Sequence, residues 1–228
     1  MIPVPPMKII ARMHSDFPSK FGIPRQSGLV GALRSSIVFE PEFRNPDTIR
    51  GLDEFTHIWL IWQFSESLRD TWAATVRPPR LGGSVRKGVF ATRSPFRPNS
   101  IGLSSVQLES IETHPELGPV LHVSGADLMD GTPIFDIKPY LPFVDSHPDA
   151  VGGFADQFSE YSLHVVFPEE LQALVPDDRR QALCEVLAQD PRPSYQEDSE
   201  RVYGMAFSGL DIKFMVADGI LTVVQVLQ

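Results

Sequence analysis

Three side chains that can handle a proton and a charge occur at alternate positions near the middle of the chain. Asp136, Lys138 and Tyr140 lie in the run DGTPIFDIKPY, each separated from the next by one residue. If this run is extended, the three side chains share one face. A carboxylate, an ammonium and a phenol on one face can orient a substrate and manage a proton. The spacing fits equally a plain ion pair between Asp136 and Lys138 beside a packed tyrosine, and the sequence leaves both interpretations open.

Two more polar loops carry groups suited to binding. In the first, Pro24 and Gly28 fix a turn that presents Arg25, Gln26 and Ser27. The second is the segment 88–102, GVFATRSPFRPNSIG, in which prolines stiffen the backbone around two arginines. A stiff loop loses less conformational freedom when its guanidinium groups meet an anion or a base.

The charge of the chain is unevenly distributed. The formal net charge is −9, which by itself argues against a nucleic-acid partner. Most of this acidity lies in the C-terminal third, whereas residues 71–108 contain no acid. The cations of that segment are Arg77, Arg80, Arg86, Lys87, Arg93 and Arg97. The segment is either a loop that happens to be basic or a surface for an anionic partner.

Several classes of site lack their usual residues. No glycine-rich phosphate loop of the dinucleotide-binding or P-loop kind occurs, and the six histidines show no metal-ligand spacing. The single cysteine, Cys184, excludes an internal disulfide and a cysteine-based zinc site, and it fits a reducing compartment such as the cytoplasm. We therefore expect no metal centre. No apolar run is long enough for a membrane helix, and the first thirteen residues do not resemble a secretory signal.

The pattern of apolar residues predicts a mainly β protein. Short runs rich in valine, isoleucine, leucine and aromatic residues predict strands at 7–12, 33–39, 55–64, 85–92, 101–111, 119–128 and 161–167. Helical spacing appears at 169–188 and is split by Pro176. Three further strands, at 201–207, 212–216 and 221–226, predict a small antiparallel sheet with a tight turn at Asp218 and Gly219. We expect an N-terminal domain at 1–164 and a small α+β domain at 165–228.

The chain resembles the TsaA-like (YaeB, TrmO) family of tRNA methyltransferases over nearly its whole length. The three polar loops carry the resemblance, and further segments extend it. The matching segments are PRQSGLV (24–30), RGLDEFTHIW (50–59), VRPPRLGG (76–83), GVFATRSPFRPNSIG (88–102), DLMDGTPIFDIKPYLPF (127–143) and AQDPRPSY (188–195). Within the fourth of these segments, the run GVFATRSPFRPN is close to a family signature.

The resemblance implies an antiparallel β-barrel that binds S-adenosylmethionine (SAM) through its loops, in a homodimer. The implied reaction is methylation of N6 of threonylcarbamoyladenosine at position 37 of tRNA. The implied SAM contacts are Gln26, Ser27, Gly28, Ser65, Glu66, Arg93, Leu103, Ser124, Gly125, Ala126 and Asp127. Ser65 stands where the family often has a histidine, so a contact through a ring is missing there, while a backbone contact remains.

The remaining roles follow from this reaction. We expect Asp136 to accept the proton of the nitrogen, Lys138 to face the threonyl carboxylate, and Tyr140 to orient the base. We expect Arg77, Arg80, Arg86, Lys87 and Arg97 to meet phosphates of the anticodon stem-loop. Phe96 and Tyr140 are candidate stacking platforms, and Arg192 with Tyr195 is a candidate tRNA contact of the C-terminal domain, which otherwise braces the barrel. Two alternatives stay open: a non-catalytic RNA-binding barrel module, and a SAM enzyme acting on a small molecule.

Overall fold

The N-terminal part of the chain is a closed sheet. The computed structural model describes residues 6–192 and 198–228. Six strands pair in the order β1-β2-β7-β6-β3-β8, and β8 pairs back with β1, so the sheet closes into a barrel. All of these pairings are antiparallel. The strands are β1 (Ala11–His14), β2 (Arg34–Phe39), β3 (His57–Gln63), β6 (Ile101–His114), β7 (Gly118–Ser124) and β8 (Pro133–Pro139).

Alternating side chains fill the interior of this sheet. In β3, for example, Ile58, Leu60 and Trp62 are buried, while the residues between them are more exposed. Because successive side chains of a strand point to opposite faces, one face of each strand builds the core and the other remains available. The outer face of β3 and β8 is therefore free to carry polar groups.

The register between β3 and β8 contains one irregularity. Ile61 lies opposite Asp136, but Trp62 lies opposite Ile134, so Phe135 is an extra residue on β8. A bulge of this kind bends the strand and redirects the side chains beside it. It lies directly next to the predicted proton-handling residues.

The segment between β3 and β6 is mostly loop and short turns. It contains only the two-residue strands β4 (Thr75–Val76) and β5 (Lys87–Gly88), which pair with each other. The predicted strand at 85–92 is wrong, because the chain turns into a 3-10 turn at Val89–Ala91 directly after β5. The amide of Val89 donates to the carbonyl of Ala74, which ties this turn to the first half of the segment.

The C-terminal part combines one sheet with helices. A short helix, α1 (Pro142–Asp145), precedes it, and β9 (His164–Val166), α2 (Glu169–Gln172), α3 (Asp177–Ala188), β10 (Tyr203–Phe207), β11 (Leu210–Ala217) and β12 (Ile220–Leu227) follow. The helical break at Pro176 is confirmed. The sheet has the order β10-β11-β12-β9. The predicted antiparallel pairing of the three strands β10, β11 and β12 is confirmed, and β9 joins β12 in parallel as a fourth strand.

The loop between β1 and β2 belongs to the core of the C-terminal part. Phe17, Val30 and Leu33 are buried among the apolar side chains of α3 and β10–β12. Phe17 meets Phe207 edge to face, with ring centroids 5.4 Å apart, and the Ser208 amide donates to the Asp16 carbonyl at 2.8 Å. The loop that presents residues 25–28 is therefore held at both ends by the C-terminal part.

The mainly β fold class is confirmed, while the division at 164/165 stays a prediction. No helix within residues 6–192 and 198–228 combines the length and apolar character needed to cross a membrane. In the same residues, no group of three or more potential ligands is arranged to hold a metal ion.

Candidate active site

Two glycines bring two predicted binding segments into contact. The Gly28 amide donates to the Gly125 carbonyl at 2.9 Å, and both residues have positive φ, 80° and 72°. A Cβ on Gly125 would lie 3.4 Å from the Cα and N atoms of Gly28, which is ordinary van der Waals contact. Glycine is favoured at both positions because it adopts the left-handed backbone without strain. The strand predicted to run to 128 ends at Ser124, which frees the residues after it for this contact.

A buried chain of hydrogen bonds supports the second of these segments. Asp127 accepts a hydrogen bond from Ser104 Oγ at 2.6 Å, and Ser104 in turn accepts from the indole nitrogen of Trp62 at 3.0 Å. Burial raises the pKa of Asp127 above its usual value, and hydrogen bonds from Ser104 and from the backbone of Asp127 and Ser27, with the charge of Arg93, oppose this. These hydrogen bonds fix the Asp127 side chain beside the loop that presents Gln26, Ser27 and Gly28.

Arg93 completes the cluster from a third segment. Its guanidinium donates to the side-chain oxygen of Gln26. The backbone around Arg93 is fixed by hydroxyl groups, since the amide of Ser94 donates to Thr92 Oγ1 at 3.3 Å and that of Phe96 to Ser94 Oγ at 3.2 Å. The residues Gln26, Ser27, Gly28, Arg93, Ser104, Gly125 and Asp127 are called the loop cluster below.

The other predicted SAM contacts lie around this cluster. Ser65 and Glu66 form a 3-10 turn directly after β3, and the Glu66 carbonyl accepts from Lys20 of the first loop at 2.8 Å. Leu103 is 56% exposed on β6. Ala126 is buried in the core of the closed sheet, and the Ser124 hydroxyl donates to Glu109 at 2.5 Å. Both side chains therefore already have partners within the protein.

The predicted proton-handling residues lie together on the outer face of β8 and just after it. Lys138 Nζ and Asp136 Oδ2 are 2.8 Å apart, and both side chains are substantially exposed. The ring of Tyr140 packs at 5.6 Å from Trp59 and at 6.1 Å from His57. Both features of the simpler interpretation, an ion pair and a packed tyrosine, are therefore present, and both leave the side chains accessible.

Trp59 is held by the short helix that follows. Its indole nitrogen donates to Asp145 at 2.9 Å, and the same carboxylate oxygen accepts from the Leu141 amide at 2.8 Å. These hydrogen bonds, that of Leu141 first, lower the pKa of Asp145. The aromatic wall beside Tyr140 is thus anchored by a carboxylate that is ionised at neutral pH.

The strand register connects the two groups of residues. Ile61 lies opposite Asp136 on one side and opposite Leu103 on the other. Neighbouring strands are about 4.8 Å apart, so the backbones at Asp136 and Leu103 are separated by roughly 10 Å. The proton-handling residues and one edge of the predicted SAM site therefore share one outer wall.

The basic residues of the long loop differ in their availability. Arg77 is exposed, Arg86 donates to Thr75 Oγ1 at 2.8 Å, and Arg97 donates to the Thr92 carbonyl at 3.2 Å. Lys87 lies 5.6 Å from the centre of the Phe154 ring. Arg80 is different, because it is half-buried against the C-terminal part, where its Nη2 donates to the Gln189 carbonyl at 3.3 Å.

Sequence reasoning missed several residues of the site. Ser104 and Trp62 carry no motif, and only the contact in three dimensions reveals their role. Trp72 and Phe90 are exposed and stacked, with centroids 6.5 Å apart, and aromatic residues within a basic segment were a usable signal for them. Phe96 is already covered by Arg69 at 3.8 Å from its ring centre. Arg192 pairs with Asp190, and Tyr195 lies outside the described residues.

Comparison with known proteins gives this arrangement a family. The family model of the tRNA-methyltransferase O N-terminal domain matches residues 12–146, and that of the TrmO C-terminal domain matches residues 160–228. The chain belongs to the TrmO family. The predicted family is therefore confirmed, and with it the class of SAM-dependent tRNA methyltransferases.

Individual relatives cover most of the chain. A tRNA (adenine(37)-N6)-methyltransferase of Escherichia coli is 40% identical over 92% of both chains. One of Eikenella corrodens is 49% identical over 72% of this chain and 93% of its own. A protein of Pseudomonas aeruginosa, 42% identical over 89% of both chains, is named a putative SAM-dependent methyltransferase.

Solved structures agree with this result. A crystal structure of TrmO has a TM-score of 0.80 and 31% identity, covering 99% of this chain and all of its own. A crystal structure of TrmO from Pseudomonas aeruginosa has a TM-score of 0.78 with the same identity and coverage. This TrmO-family chain thus shares its fold with them over its full described length.

Proposed function

We propose that this TrmO-family protein transfers a methyl group from SAM to N6 of adenosine 37 in tRNA, when that nitrogen already carries a threonylcarbamoyl group. The observation that supports this proposal most is the convergence of three separate segments in the loop cluster. The adenosine position and nitrogen come from the names of the relatives. The threonylcarbamoyl group comes from the resemblance of the sequence motifs.

The chemistry of the loop cluster fits SAM. Asp127 offers a held carboxylate for a hydroxyl or ammonium group, and the backbone near Gly28 and Gly125 is free of Cβ atoms where a ligand approaches. Exposed Leu103 offers apolar surface at its edge. When bound, SAM supplies an electrophilic methyl group on a sulfonium. The proposed binding residues are those predicted from the sequence, together with Ser104, which positions Asp127.

Asp136, Lys138 and Tyr140 suit the nucleotide that accepts the methyl group. A purine N6 that carries a carbamoyl group is a weak nucleophile, so removal of its proton assists attack. Asp136 accepts that proton, Lys138 turns from Asp136 to the threonyl carboxylate, and Tyr140 holds the base against Trp59. Their exposure and the 2.8 Å Asp136–Lys138 distance support this exchange of partners. Positioning supplies much of the rate, because well-aligned groups reach effective molarities of about 10⁵ M or more.

The long basic loop fits the anticodon stem-loop. Arg77, Arg86, Lys87 and Arg97 place positive charge on an acid-free segment, which suits phosphates. Trp72 and Phe90 add exposed rings on which an unpaired base can stack, worth about 1–3 kcal/mol for each base. A loop nucleotide leaves its stack without any duplex being opened, so position 37 is accessible to such a surface.

The test is methyl transfer to defined tRNA. Purified protein is incubated with methyl-labelled SAM and with tRNA that carries threonylcarbamoyladenosine but lacks the methyl group, followed by nucleoside analysis. The matched substrate is the same tRNA with unmodified adenosine 37. We expect label only in the first and on N6. Equal labelling of both would contradict the threonylcarbamoyl requirement, and no labelling of either would contradict the function.

The competing functions give different results in the same assays. A non-catalytic RNA-binding module would show no thermal stabilisation by SAM, since it has no cofactor to bind. A SAM enzyme acting on a small molecule would be stabilised by SAM but would not label tRNA. The proposed homodimer is tested by light scattering on the purified chain, where a monomeric mass would contradict it. The cytoplasm stays the predicted compartment.

A further inference from the structure

Two arginines from different segments lie within electrostatic range of each other at the boundary between the closed sheet and the C-terminal part. Arg25 precedes Gln26 of the loop cluster, and Arg80 belongs to the long basic loop. Each acts electrostatically on the other or on the same partners, Asp190 and Tyr161. Neither sequence motif predicts this arrangement, because Asp190 and Tyr161 belong to other parts of the chain.

The carboxylate at this boundary is already engaged. Asp190 is buried, and it accepts from Arg192 at 2.9 and 3.2 Å and from the hydroxyl of Tyr161 at 2.8 Å. A bidentate pair of this kind neutralises one cation with one anion. Arg25 and Arg80 are therefore surplus cations among the described residues of this cluster.

Arg80 uses only part of its guanidinium within the protein. Its Nη2 donates to the Gln189 carbonyl at the C-terminal end of α3, where a cation is favourable, and its Cζ lies 4.5 Å from the centre of the Tyr161 ring. Its Nη1 is buried and has no hydrogen-bond partner in the described part of the chain. A buried N–H without a partner is costly, so a shift of the side chain that lets this group donate to a ligand would add to affinity.

The Arg25 side chain is partly buried. Within residues 6–192 and 198–228, its side chain makes no hydrogen bond and no ion pair. Burial lowers the pKa of Arg25, and the charge of Arg80 lowers it further. Burial is also the main cause that lowers the pKa of Arg80. The free protein thus holds two like charges that repel each other in a partly desolvated place, and a bound anion would relieve this repulsion.

We propose that Arg25 and Arg80 together bind one backbone phosphate of the tRNA, at the boundary between the two parts of the protein. This rests on the proposed function and adds to it a defined phosphate contact. A phosphate offers several acceptor oxygens, and guanidinium groups match its geometry with paired N–H donors. Arg25 adjoins the loop cluster, so the bound phosphate belongs to a nucleotide near the one that receives the methyl group. The acidic C-terminal part thereby contributes by holding Arg80 in place through Gln189 and Tyr161.

The site is tested by the salt dependence of RNA binding. Binding of an anticodon stem-loop RNA is measured by fluorescence anisotropy at several salt concentrations, for the wild type, Arg25→Gln, Arg80→Met and the double variant. Methionine keeps the apolar stem that packs on Tyr161, so Arg80→Met retains the fold. The control is Arg50→Gln, which removes an exposed arginine paired with Asp47 elsewhere in the protein.

One shared phosphate gives a specific result. We expect each single variant to weaken RNA binding by about tenfold, and the double variant to flatten the log–log salt slope by about 0.7, the value for one single-strand phosphate. Arg25→Lys should retain most of the affinity, and Arg50→Gln should change neither quantity. A flattening of about 1.4 in the double variant would mean two separate phosphates and would overturn the shared site.

Two further measurements distinguish a phosphate contact from a cofactor contact and from a purely structural role of Arg25. The affinity for SAM should stay within twofold of the wild type in Arg25→Gln. Weaker SAM binding with an unchanged salt slope would assign the arginine to the carboxylate of the cofactor and overturn the proposal. The melting temperature of Arg25→Gln should stay equal or rise, since one of two repelling charges is gone. A lower melting temperature with an unchanged slope would make Arg25 a structural residue and would also overturn it.

Failure of this proposal is distinguishable from failure of the proposed function. If the wild type methylates tRNA but the double variant keeps the wild-type slope, only the phosphate site is wrong. If the wild type does not methylate tRNA, the function is wrong whatever the arginine variants show.

Discussion

The packing of Phe17 into the C-terminal core predicts that this residue controls SAM binding from a distance. Phe17 is 1% exposed and meets Phe207 edge to face, and it lies in the loop that presents Gln26 and Gly28. Replacing a buried phenylalanine by alanine costs about 3–5 kcal/mol, of which the ring pair contributes roughly 0.5–1.5 kcal/mol. A domain of ordinary stability, about 5–15 kcal/mol, survives this loss.

Phe17→Ala should weaken SAM binding by at least about tenfold. This requires only about 1.4 kcal/mol of the lost energy to act on the docking of the loop, because tenfold in affinity corresponds to that amount. The apparent affinity falls in proportion to the fraction of molecules whose loop is docked. The assay is isothermal titration with SAM, together with urea unfolding to measure the loss of stability.

The matched control removes a phenylalanine from the same core without touching the loop directly. Phe214 is fully buried on β11 and stacks on Tyr203 at 5.6 Å. Phe214→Ala should lower the free energy of unfolding by a similar amount and leave SAM affinity within about threefold of the wild type, since the loop keeps its anchor. If Phe17→Ala loses stability but binds SAM normally, or if both variants weaken SAM equally, the C-terminal part does not position this loop.

Three further substitutions test the site. Ser104→Ala leaves Asp127 and the Trp62 indole without their shared hydrogen-bond partner. The free energy of unfolding in urea should therefore fall by about 1–3 kcal/mol, and SAM binding should weaken. Unchanged values of both would contradict a supporting role for this chain of hydrogen bonds. Burial raises the pKa of Asp127, so its contribution to stability is present below its usual value of about 3.8 and is lost as the pH rises through the folded pKa. Asp127→Asn should therefore gain stability relative to the wild type between about pH 4 and 7 while losing SAM affinity, and an unchanged pH profile would contradict this. Asp136→Asn should lower kcat by about 10²-fold or more with intact SAM binding, and near wild-type kcat would exclude Asp136 as the proton acceptor.

The long loop and the end of β7 show where sequence reasoning succeeds and where it fails. Prolines between 92 and 100 predict a stiff loop, and the structure adds local hydrogen bonds from hydroxyl residues that the sequence did not predict. The prediction of a strand at 85–92 is wrong, because the apolar residues there are compatible with the 3-10 turn at Val89–Ala91 as well as with a strand. β7 ends at Ser124 because Gly125 adopts positive φ to approach Gly28, a contact between segments that local patterns do not encode.

The sequence by itself determined the family, the mainly β class and the three polar segments, because motifs and alternating apolar residues depend on neighbours along the chain. Tertiary structure alone decided that Ser104 links Trp62 to Asp127 and that Phe17 anchors a loop in the C-terminal core. It also decided that Arg80 reaches the carbonyl of Gln189 and the ring of Tyr161 in the C-terminal part. Each of these contacts joins residues distant in sequence, and their energies arise from burial and hydrogen-bond geometry that exist only after the chain has folded.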